Sequence, residues 1–329
     1  MPKAIRIHQT GGPEVLRWED VEVGEPKEGE VLIRHTAVGL NFVDVYFRTG
    51  LYPTPPMPFV LGLEAAGVVQ AVGPGVTDLK VGDHVAYGQP GALGAMGAYS
   101  QERLIPAARV VRLPHGIEDN TAAAMMLKGM TAQYLLRRCY QVNAVDTILV
   151  HAAAGGVGTI LCQWAKHLGA TVIGTVSSEA KAKLAADHGC QHPVIYTKED
   201  FVKRVREITK GEGVPVVYDS VGKDTFLKSL DCLRPLGTMV LFGQSSGAVD
   251  PFNLGLLAQK GSLYVTRPTL ATYAAKRTDM VTMAEDLFDV VREGYVKIEI
   301  NQTFPLKDAA DAHRALEGRK TTGSTVLVP

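Results

Sequence analysis

A glycine turn between an apolar strand pattern and an amphipathic helix pattern constrains the fold of this chain more than any other feature. The turn reads His151-Ala152-Ala153-Ala154-Gly155-Gly156-Val157-Gly158, between a predicted strand at 147–152 and a predicted helix at 157–168. Glycines at such a turn let the backbone approach a diphosphate and let the helix pack closely against the strand. The helix amino terminus presents free N–H groups and the positive end of its dipole. The sequence therefore predicts a dinucleotide site; a tight turn without a ligand is the alternative.

Strand and helix patterns alternate from this turn to about residue 266. Strands are predicted at 171–176, 194–196, 214–218, 238–242 and 263–266, with helices at 179–188, 199–209 and 225–233. In the first helix, Leu161, Trp164, Ala165 and Leu168 recur at the spacing of one buried helical face. Alternation of this length is typical of a doubly wound α/β fold, in which helices cover both faces of a parallel sheet.

The segment before Pro114 has a different rhythm, because short apolar runs are separated by glycine and proline turns. This pattern favours an antiparallel, barrel-like β domain. Residues 50–58 contain four prolines and are expected to form a stiff loop. After residue 266, helix patterns at 280–293 and 309–316 and a strand pattern at 324–328 are too little for a separate core. We therefore expect residues 1–125 and 267–329 to form one domain, with a dinucleotide-binding domain at 126–266 inserted in it.

Composition argues against several classes of function. Lys plus Arg and Asp plus Glu number 34 each among 329 residues, so no net charge attracts nucleic acid or an anionic membrane. No apolar run has the length of a membrane span or a signal peptide. The four cysteines are widely spaced without a CxxC pair, as is usual for small apolar residues in a reducing compartment. These features predict a cytoplasmic protein.

The end of the predicted strand at 171–176, the second in the dinucleotide-binding domain, indicates which dinucleotide binds. NAD sites usually place Asp or Glu there, to accept hydrogen bonds from the ribose 2′-hydroxyl. This strand ends instead in Ser177 and Ser178, which can donate to a 2′-phosphate, and Lys181 follows one helical turn later. A charge-assisted contact of this kind contributes about 1.5–3 kcal/mol, enough to decide the choice of cofactor. Glu179 argues against a phosphate, but a carboxylate at a helix start is also explained by the helix dipole. NADPH is therefore predicted.

Further motifs are distributed along the whole chain. Those before the glycine turn are Gly11-Gly12-Pro13-Glu14-Val15-Leu16, Asn41-Phe42-Val43-Asp44, Gly50-Leu51-Tyr52-Pro53, Glu64-Ala65-Ala66-Gly67 and Leu127-Lys128-Gly129-Met130-Thr131-Ala132. Those after it are Tyr218-Asp219-Ser220-Val221-Gly222, Phe242-Gly243-Gln244-Ser245-Ser246-Gly247 and Gly261-Ser262-Leu263-Tyr264-Val265-Thr266-Arg267-Pro268. With these motifs the chain resembles the zinc-independent quinone oxidoreductases related to zeta-crystallin, in the medium-chain dehydrogenase/reductase superfamily. The resemblance implies a GroES-like β-rich catalytic domain from both chain ends and a Rossmann domain that binds NADPH.

The resemblance also implies which residues contact NADPH. Residues expected at the nicotinamide are Asn41, Phe42, Val43, Asp44, Val45, Tyr46, Thr131 and Tyr134, with Val221, Phe242, Gly243, Ser245, Ser246, Arg267, Pro268, Thr269 and Leu270 along its other side. Gly155, Gly156, Val157 and Gly158 would hold the diphosphate. Ser177, Ser178, Lys181 and Tyr196 would hold the phosphorylated adenosine end, and Arg319 would reach the 2′-phosphate.

The sequence departs from the zinc-dependent relatives at the positions of their metal ligands. Those enzymes bind catalytic zinc through a cysteine near residues 41–44 and a histidine one place before Glu64, where this chain has Leu63 and no cysteine. A second zinc uses a four-cysteine cluster, and the corresponding residues 91–98 contain no cysteine. Because tetrahedral zinc needs sulfur or nitrogen ligands at fixed spacing, no metal is expected.

The predicted reaction is hydride transfer from NADPH to a quinone. Without a Lewis acid an alcohol has no obvious route to an alkoxide, whereas a quinone is already electron-poor. Asn41, Tyr46 and Tyr52 are the candidates for a polar wall that supports the developing oxyanion. The alternatives are that Asn41 only caps a turn and that the tyrosines only pack.

Other functions stay open at this point. Near relatives reduce an activated C=C bond in an enone or enal, and zeta-crystallin-like proteins also have structural or RNA-binding uses. Zero net charge and few aromatic residues argue against nucleic acid as the main partner. The resemblance further suggests a homodimer joined through the predicted strand at 263–266, since an open apolar edge strand favours pairing.

Overall fold

The computed structural model describes residues 1–88 and 96–329, which form two compact units. The first unit contains Met1–Met130, Tyr273–Arg292 and Ile298–Pro329, and the second contains Thr131–Thr272 and Glu293–Lys297. Both chain ends therefore belong to one unit, and the glycine turn belongs to the other. The exact domain boundaries expected from the sequence, after residues 125 and 266, stay a prediction.

The first unit begins with short strands. They are β1 (Lys3–Ile7), β2 (Arg17–Asp20), β3 (Glu30–Leu40), β4 (Phe59–Val60), β5 (Glu64–Val72), β6 (His84–Gly88), β7 (Glu102–Pro106) and β8 (Val111–Arg112). Helix α1 (Phe42–Thr49) follows β3, and α2 (Asp119–Tyr134) follows β8. The sequence patterns did not predict these helices. In α2 the chain is buried almost without interruption from Ala122 onward, so no one-sided apolar stripe is present.

The second unit alternates strands and helices. Its elements are β9 (Thr147–Val150), α3 (Gly156–His167), β10 (Thr171–Val176), α4 (Glu179–Asp187), β11 (His192–Ile195), α5 (Phe201–Ile208), β12 (Val214–Asp219), α6 (Phe226–Leu230), β13 (Leu233–Leu241), α7 (Gly255–Gln259) and β14 (Tyr264–Thr266). The sheet order is β11-β10-β9-β12-β13-β14 and the pairings are parallel, as predicted. The helix predicted at 225–233 was too long, because β13 already begins at Leu233.

The remaining elements follow α8 (Leu270–Tyr273). They are α9 (Arg277–Arg292), β15 (Ile300–Pro305), α10 (Ala309–Glu317) and β16 (Ser324–Val328). In the first unit one sheet has the order β15-β16-β3-β5-β6-β8, with β7 also on β3, and a smaller sheet has the order β2-β1-β4. The pairings are antiparallel except β15 with β16. Because β16 pairs with β3, the carboxyl terminus completes the amino-terminal sheet.

Each unit has its own apolar core. The first core includes Ile5, Ile33, Tyr87 and Leu327, and the second includes Leu149, Ile173, Val217 and Phe226. Burial of such side chains, at about 25 cal/mol per Å² of apolar surface, is the main stabilising contribution in both. In the described part of the chain, no helix is long and apolar enough to cross a membrane.

Candidate active site

The glycine turn lies at the carboxyl end of β9, where the strand order of the sheet reverses. β9 pairs with β10 on one side and β12 on the other. Beyond the strand end, the Ala153 N–H donates to Thr175 O at 3.1 Å and the His151 N–H donates to Tyr218 O at 3.0 Å. Ligands of open α/β sheets bind at such a reversal, outside the carboxyl ends of the strands.

Gly158 permits the close approach of α3 to this turn. A Cβ at Gly158 would lie 2.3 Å from the carbonyl oxygen of Ala152 and 2.8 Å from the carbonyl carbon of Ala153. A Cβ at Gly155, the residue that caps α3, would meet the same oxygen at 3.2 Å. The first turn of α3 has amide groups without helical acceptors, so the turn offers donors to an anion.

His151 fixes the strand end behind the glycine turn. Its buried ring is held by Thr175 Oγ1 at 2.8 Å from Nδ1 and by Ser229 Oγ at 2.9 Å from Nε2. Burial lowers the pKa of His151, which favours the neutral ring. The histidine is therefore a structural anchor for the turn.

The loop after β10 carries the residues predicted to bind a 2′-phosphate. Ser178 caps α4, and its hydroxyl accepts from the Lys181 N–H at 3.4 Å. Ser177 is half-buried, and its carbonyl accepts from Thr197 Oγ1 at 3.1 Å. The carboxylate of Glu179 is 71% exposed and pairs with Lys198 at 2.6 Å. The acidic residue that argued against a phosphate is therefore paired with a cation at the surface.

Asp219 organises the next two loops. It is fully buried, and its Oδ1 accepts from the N–H groups of Val221 at 2.7 Å and Gly222 at 3.1 Å, while Thr225 Oγ1 donates to its Oδ2 at 2.7 Å. The Ser246 hydroxyl donates to Val221 O at 2.8 Å, which ties the loops together. Sequence reasoning gave Asp219 no role. A carboxylate directly after a buried apolar strand was the available signal.

In the second unit, the predicted cofactor residues come together on one edge of the sheet, because carboxyl ends of parallel strands share an edge. They follow the strands in this order: Gly155, Gly156, Val157 and Gly158 after β9; Ser177, Ser178 and Lys181 after β10; Tyr196 after β11; Val221 after β12; Phe242, Gly243, Ser245 and Ser246 after β13; Arg267, Pro268, Thr269 and Leu270 after β14. Thr131 and Tyr134 are buried at the end of α2.

In the first unit, Asn41 lies at the start of α1. The Asn41 N–H donates to Asp44 Oδ2 at 2.9 Å, and the side-chain Nδ2 donates to Glu64 Oε2 at 2.7 Å. The amide expected to support an oxyanion is thus bonded to a buried carboxylate. Val45 is buried as well, whereas Phe42 and Val43 are half-buried.

Glu64 and Lys128 form a buried ion pair beside Asn41. Glu64 is 0% exposed and Lys128 is 5% exposed, and Lys128 Nζ lies 2.7 Å from Glu64 Oε2. The other oxygen, Oε1, accepts from the Leu127 N–H at 2.7 Å. Sequence analysis missed this pair, although both charges stand inside apolar runs. We call Asn41, Asp44, Glu64, Tyr99 and Lys128 the carboxyl cluster.

Asp44 is connected to α10 through a chain of hydrogen bonds. Tyr99 donates its hydroxyl to Asp44 Oδ2 at 3.0 Å, and His313 Nε2 lies 3.1 Å from the same hydroxyl. Arg48 donates to His313 Nδ1 at 3.0 Å and forms two hydrogen bonds with Glu317 at 2.9 and 2.8 Å. Because Arg48 is a donor, His313 Nδ1 accepts, and Nε2 carries the hydrogen.

Burial shifts the pKa values of Asp44 and His313 in the direction that favours the neutral form of each. It raises the pKa of Asp44 to about 7, despite opposing hydrogen bonds from Asn41 and Tyr99. It lowers the pKa of His313 to about 3, and the charge of Arg48 adds to this effect. A neutral His313 agrees with its hydrogen-bond pattern.

Tyr46 and Tyr52 belong to one aromatic group on α1 and the following loop. Their ring centroids are 5.1 Å apart, and Phe42 and Phe47 extend the group at 5.5 Å from Tyr46 and 5.6 Å from Tyr52. The loop is held to the helix because the Tyr52 N–H donates to Tyr46 O at 3.1 Å. Arg319 is an exposed residue of the same unit, just after α10.

In residues 1–88 and 96–329, no group of three or more His, Cys, Asp or Glu side chains is arranged to hold a metal ion. Leu63, at the position of a zinc-binding histidine in relatives, is buried in the first core. Residues 91–95 of the stretch that would correspond to a second zinc site lie outside the described residues.

Comparisons with known proteins cover the whole chain. Residues 27–115 match the alcohol dehydrogenase GroES-like domain, and residues 156–285 match the zinc-binding dehydrogenase family. The quinone oxidoreductase of Pseudomonas aeruginosa is 54% identical over 329 residues, 100% of both chains. The 2-haloacrylate reductase of a Burkholderia species is 49% identical over 336 residues, 100% of this chain and 99% of that protein.

A solved structure extends the likeness to the fold. The crystal structure of Escherichia coli quinone oxidoreductase complexed with NADPH has a TM-score of 0.97 and 49% identity, and the match covers 99% of this chain and 100% of that one. The expected combination of a GroES-like domain and a Rossmann domain is confirmed.

Proposed function

Because the chain belongs to the zinc-independent quinone oxidoreductases of the medium-chain dehydrogenase/reductase superfamily, we propose that it transfers a hydride from NADPH to a quinone. The observation that carries this proposal is the glycine turn at the sheet reversal, beside a strand end that has Ser177 and Ser178 in place of an acidic residue and Lys181 one helical turn later. NADPH supplies the hydride from its nicotinamide ring. The protein supplies binding, orientation and electrostatics.

The residues of the second unit fit a phosphorylated dinucleotide. A Cβ at Gly158 would clash with backbone, so the turn keeps the close packing that a diphosphate at the helix terminus requires. Ser177, Ser178 and Lys181 would hold the 2′-phosphate. Since Glu179 is paired with Lys198, its charge opposes that phosphate less than an isolated carboxylate would.

The aromatic group of the first unit fits a flat acceptor. Tyr46 and Tyr52 each combine a phenol hydroxyl with an apolar ring, a combination that would suit stacking with a quinone and a hydrogen bond to its oxygen. Asn41 completes the proposed polar wall, with its orientation fixed by Glu64. Excluding water from this wall would strengthen its electrostatic contribution.

A substrate panel tests the proposal. Purified protein is mixed with NADPH and each of 1,4-benzoquinone, 9,10-phenanthrenequinone, an enone and 2-chloroacrylate, and the loss of NADPH absorbance is followed. We expect turnover with the quinones, slower turnover with NADH, and a lower rate for Tyr52→Phe with the same NADPH affinity.

Reduction of an activated C=C bond is the second candidate, favoured by the 49% identity to a 2-haloacrylate reductase. Turnover of the enone or 2-chloroacrylate without turnover of either quinone would replace the first proposal by this one. The absence of metal is tested on the same preparation, since stoichiometric zinc would contradict it.

We also propose a homodimer that forms through β14. This strand ends the sheet of the second unit, and Tyr264 and Val265 on it are 62% and 38% exposed. An apolar edge strand of this kind favours pairing with a second copy. Size-exclusion chromatography with light scattering should give a dimer, and Val265→Lys should shift it toward monomer; a monomeric wild type contradicts the proposal.

A cytoplasmic location stays part of the proposal. It is supported by the cysteines, since Cys139, Cys162, Cys190 and Cys232, all in the described part of the chain, form no disulfides. Fractionation of cells that express the untagged protein would test it, and recovery outside the cytoplasm would contradict it.

A further inference from the structure

The carboxyl cluster contains two fully buried carboxyl groups with unequal partners. Glu64 accepts three hydrogen bonds on its two oxygens, one of them from the ammonium of Lys128. Asp44 accepts two, both on Oδ2, from the Asn41 N–H and the Tyr99 hydroxyl. Within the described residues its Oδ1 has no hydrogen-bond partner. The negative charge of Glu64 is therefore compensated by Lys128, whereas a charge on Asp44 would have no such partner.

The charged groups around Asp44 are engaged elsewhere. On its own helix, Arg48 bonds to His313 and Glu317. From α2, Lys128 bonds to Glu64, and Glu64 itself, from β5, repels a second negative charge. In residues 1–88 and 96–329 no Lys or Arg forms an ion pair with Asp44, and the groups that contact it are neutral donors.

A proton on Asp44 resolves this arrangement. An ionised carboxylate with one bare oxygen and no exposure to solvent is more costly than a neutral carboxyl group in the same place. The proton belongs on Oδ1, because Oδ2 already accepts from two donors. Pairs of titratable groups with opposite environments of this kind are typical of acid and base assignments in enzymes.

We propose that Asp44 carries a proton in the working enzyme and acts as a positioning residue, holding the first turn of α1 and Asn41 in the arrangement that reduces the acceptor. Asn41 is held by two hydrogen bonds: its backbone N–H donates to Asp44, and its side-chain amide donates to Glu64. Loss of the proton places a second buried negative charge beside Glu64, and the repulsion between the two carboxylates destabilises this arrangement. The inference rests on the proposed function, since it concerns the same reaction.

The expected pH dependence has a definite sign. Burial raises the pKa of Asp44 to about 7, so the protonated form is present below that pH and is lost as the pH rises through it. Acceptor reduction should therefore decline on the alkaline side. The Tyr99 hydrogen bond lowers this pKa, so removing it should move the decline to higher pH.

The test is the pH profile of kcat/KM for a quinone between about pH 5 and about pH 9. We expect kcat/KM of the wild type to fall about tenfold per pH unit above the pKa of Asp44. Asp44→Asn should lack this alkaline limb, and Tyr99→Phe should show it at higher pH. The matched control is Asp200→Asn, which changes an exposed aspartate that caps α5 and should keep the wild-type profile. A limb that persists unchanged in Asp44→Asn overturns the inference.

Infrared spectroscopy of the carboxyl C=O stretch detects the proton on Asp44 without an activity measurement. We expect a protonated-carboxyl band in the wild type at pH 6 that disappears above about pH 8 and persists to higher pH in Tyr99→Phe. Its absence at pH 6 overturns the inference even if Asp44→Asn does not fold. If the band is present but no acceptor is reduced, the proposed function fails and the proton assignment stands.

Discussion

The glycine turn of the second unit and the carboxyl cluster of the first are built in opposite ways. The turn uses consecutive residues, and its backbone geometry is the binding feature. The cluster uses side chains that are far apart in the chain: Asn41 and Glu64 are 23 residues apart, and Glu64 and Lys128 are 64 apart. A site formed by the backbone depends on the room for close packing, whereas a buried polar cluster depends on how well its charges compensate each other.

The largest effect on stability is expected from removing one charge of the carboxyl cluster. Lys128→Met leaves Glu64 as an uncompensated buried carboxylate, and breaking such a pair costs about 3–5 kcal/mol. We expect this loss in the free energy of unfolding, measured by urea denaturation. The double variant with Glu64→Gln should recover more than half of the loss, and equal stability of the single and double variants would contradict a role for charge balance.

The stability of Asp44→Asn should depend on pH. The folded pKa is about 7 against an ordinary value of 3.8, so the contribution of Asp44 to stability is fully present below that ordinary value and is lost as pH rises through about 7. The asparagine variant does not ionise there. Its stability relative to wild type should therefore rise with pH, by on the order of 4 kcal/mol between pH 4 and pH 8. A difference that is constant across this range would show that Asp44 is not buried with a proton.

Space, not charge, should decide the effect of substitutions at the glycine turn. Gly158→Ala places Cβ 2.3 Å from Ala152 O, and overpacking of this kind costs about 1–3 kcal/mol. Gly155→Ala, with its contact at 3.2 Å, is the matched control and should cost less in thermal unfolding. Calorimetric titration should also show weaker NADPH binding by Gly158→Ala. Equal effects at the two positions would contradict the packing argument.

The smallest expected effect concerns the 2′-phosphate. Lys181→Ala should weaken NADPH binding about tenfold, the lower end of a charge-assisted contact, and leave NADH binding unchanged. The control is Lys183→Ala, which removes an exposed lysine that pairs with Asp187 at 2.8 Å. If both variants bind NADPH equally well in a fluorescence titration, Lys181 does not contact the phosphate.

The two regions also differ in how much of them the sequence predicts. The glycine turn and the parallel strands after it are local patterns, and β10 has the predicted bounds Thr171–Val176. The carboxyl cluster depends on β3, β5 and α2 meeting in three dimensions, and Asp44 and Tyr99 within it are 55 residues apart. Asp44 was expected near the nicotinamide from the family resemblance, but no sequence pattern shows which of its oxygens lacks a partner.

A crystal structure with NADPH bound tests the central claim most directly, because it shows where the backbone site and its charges act. We predict the diphosphate against the amino terminus of α3 at Gly155 and Gly158, with the 2′-phosphate among Ser177, Ser178 and Lys181. A dinucleotide whose diphosphate lies away from α3, or whose 2′-phosphate contacts none of those three side chains, would contradict the account.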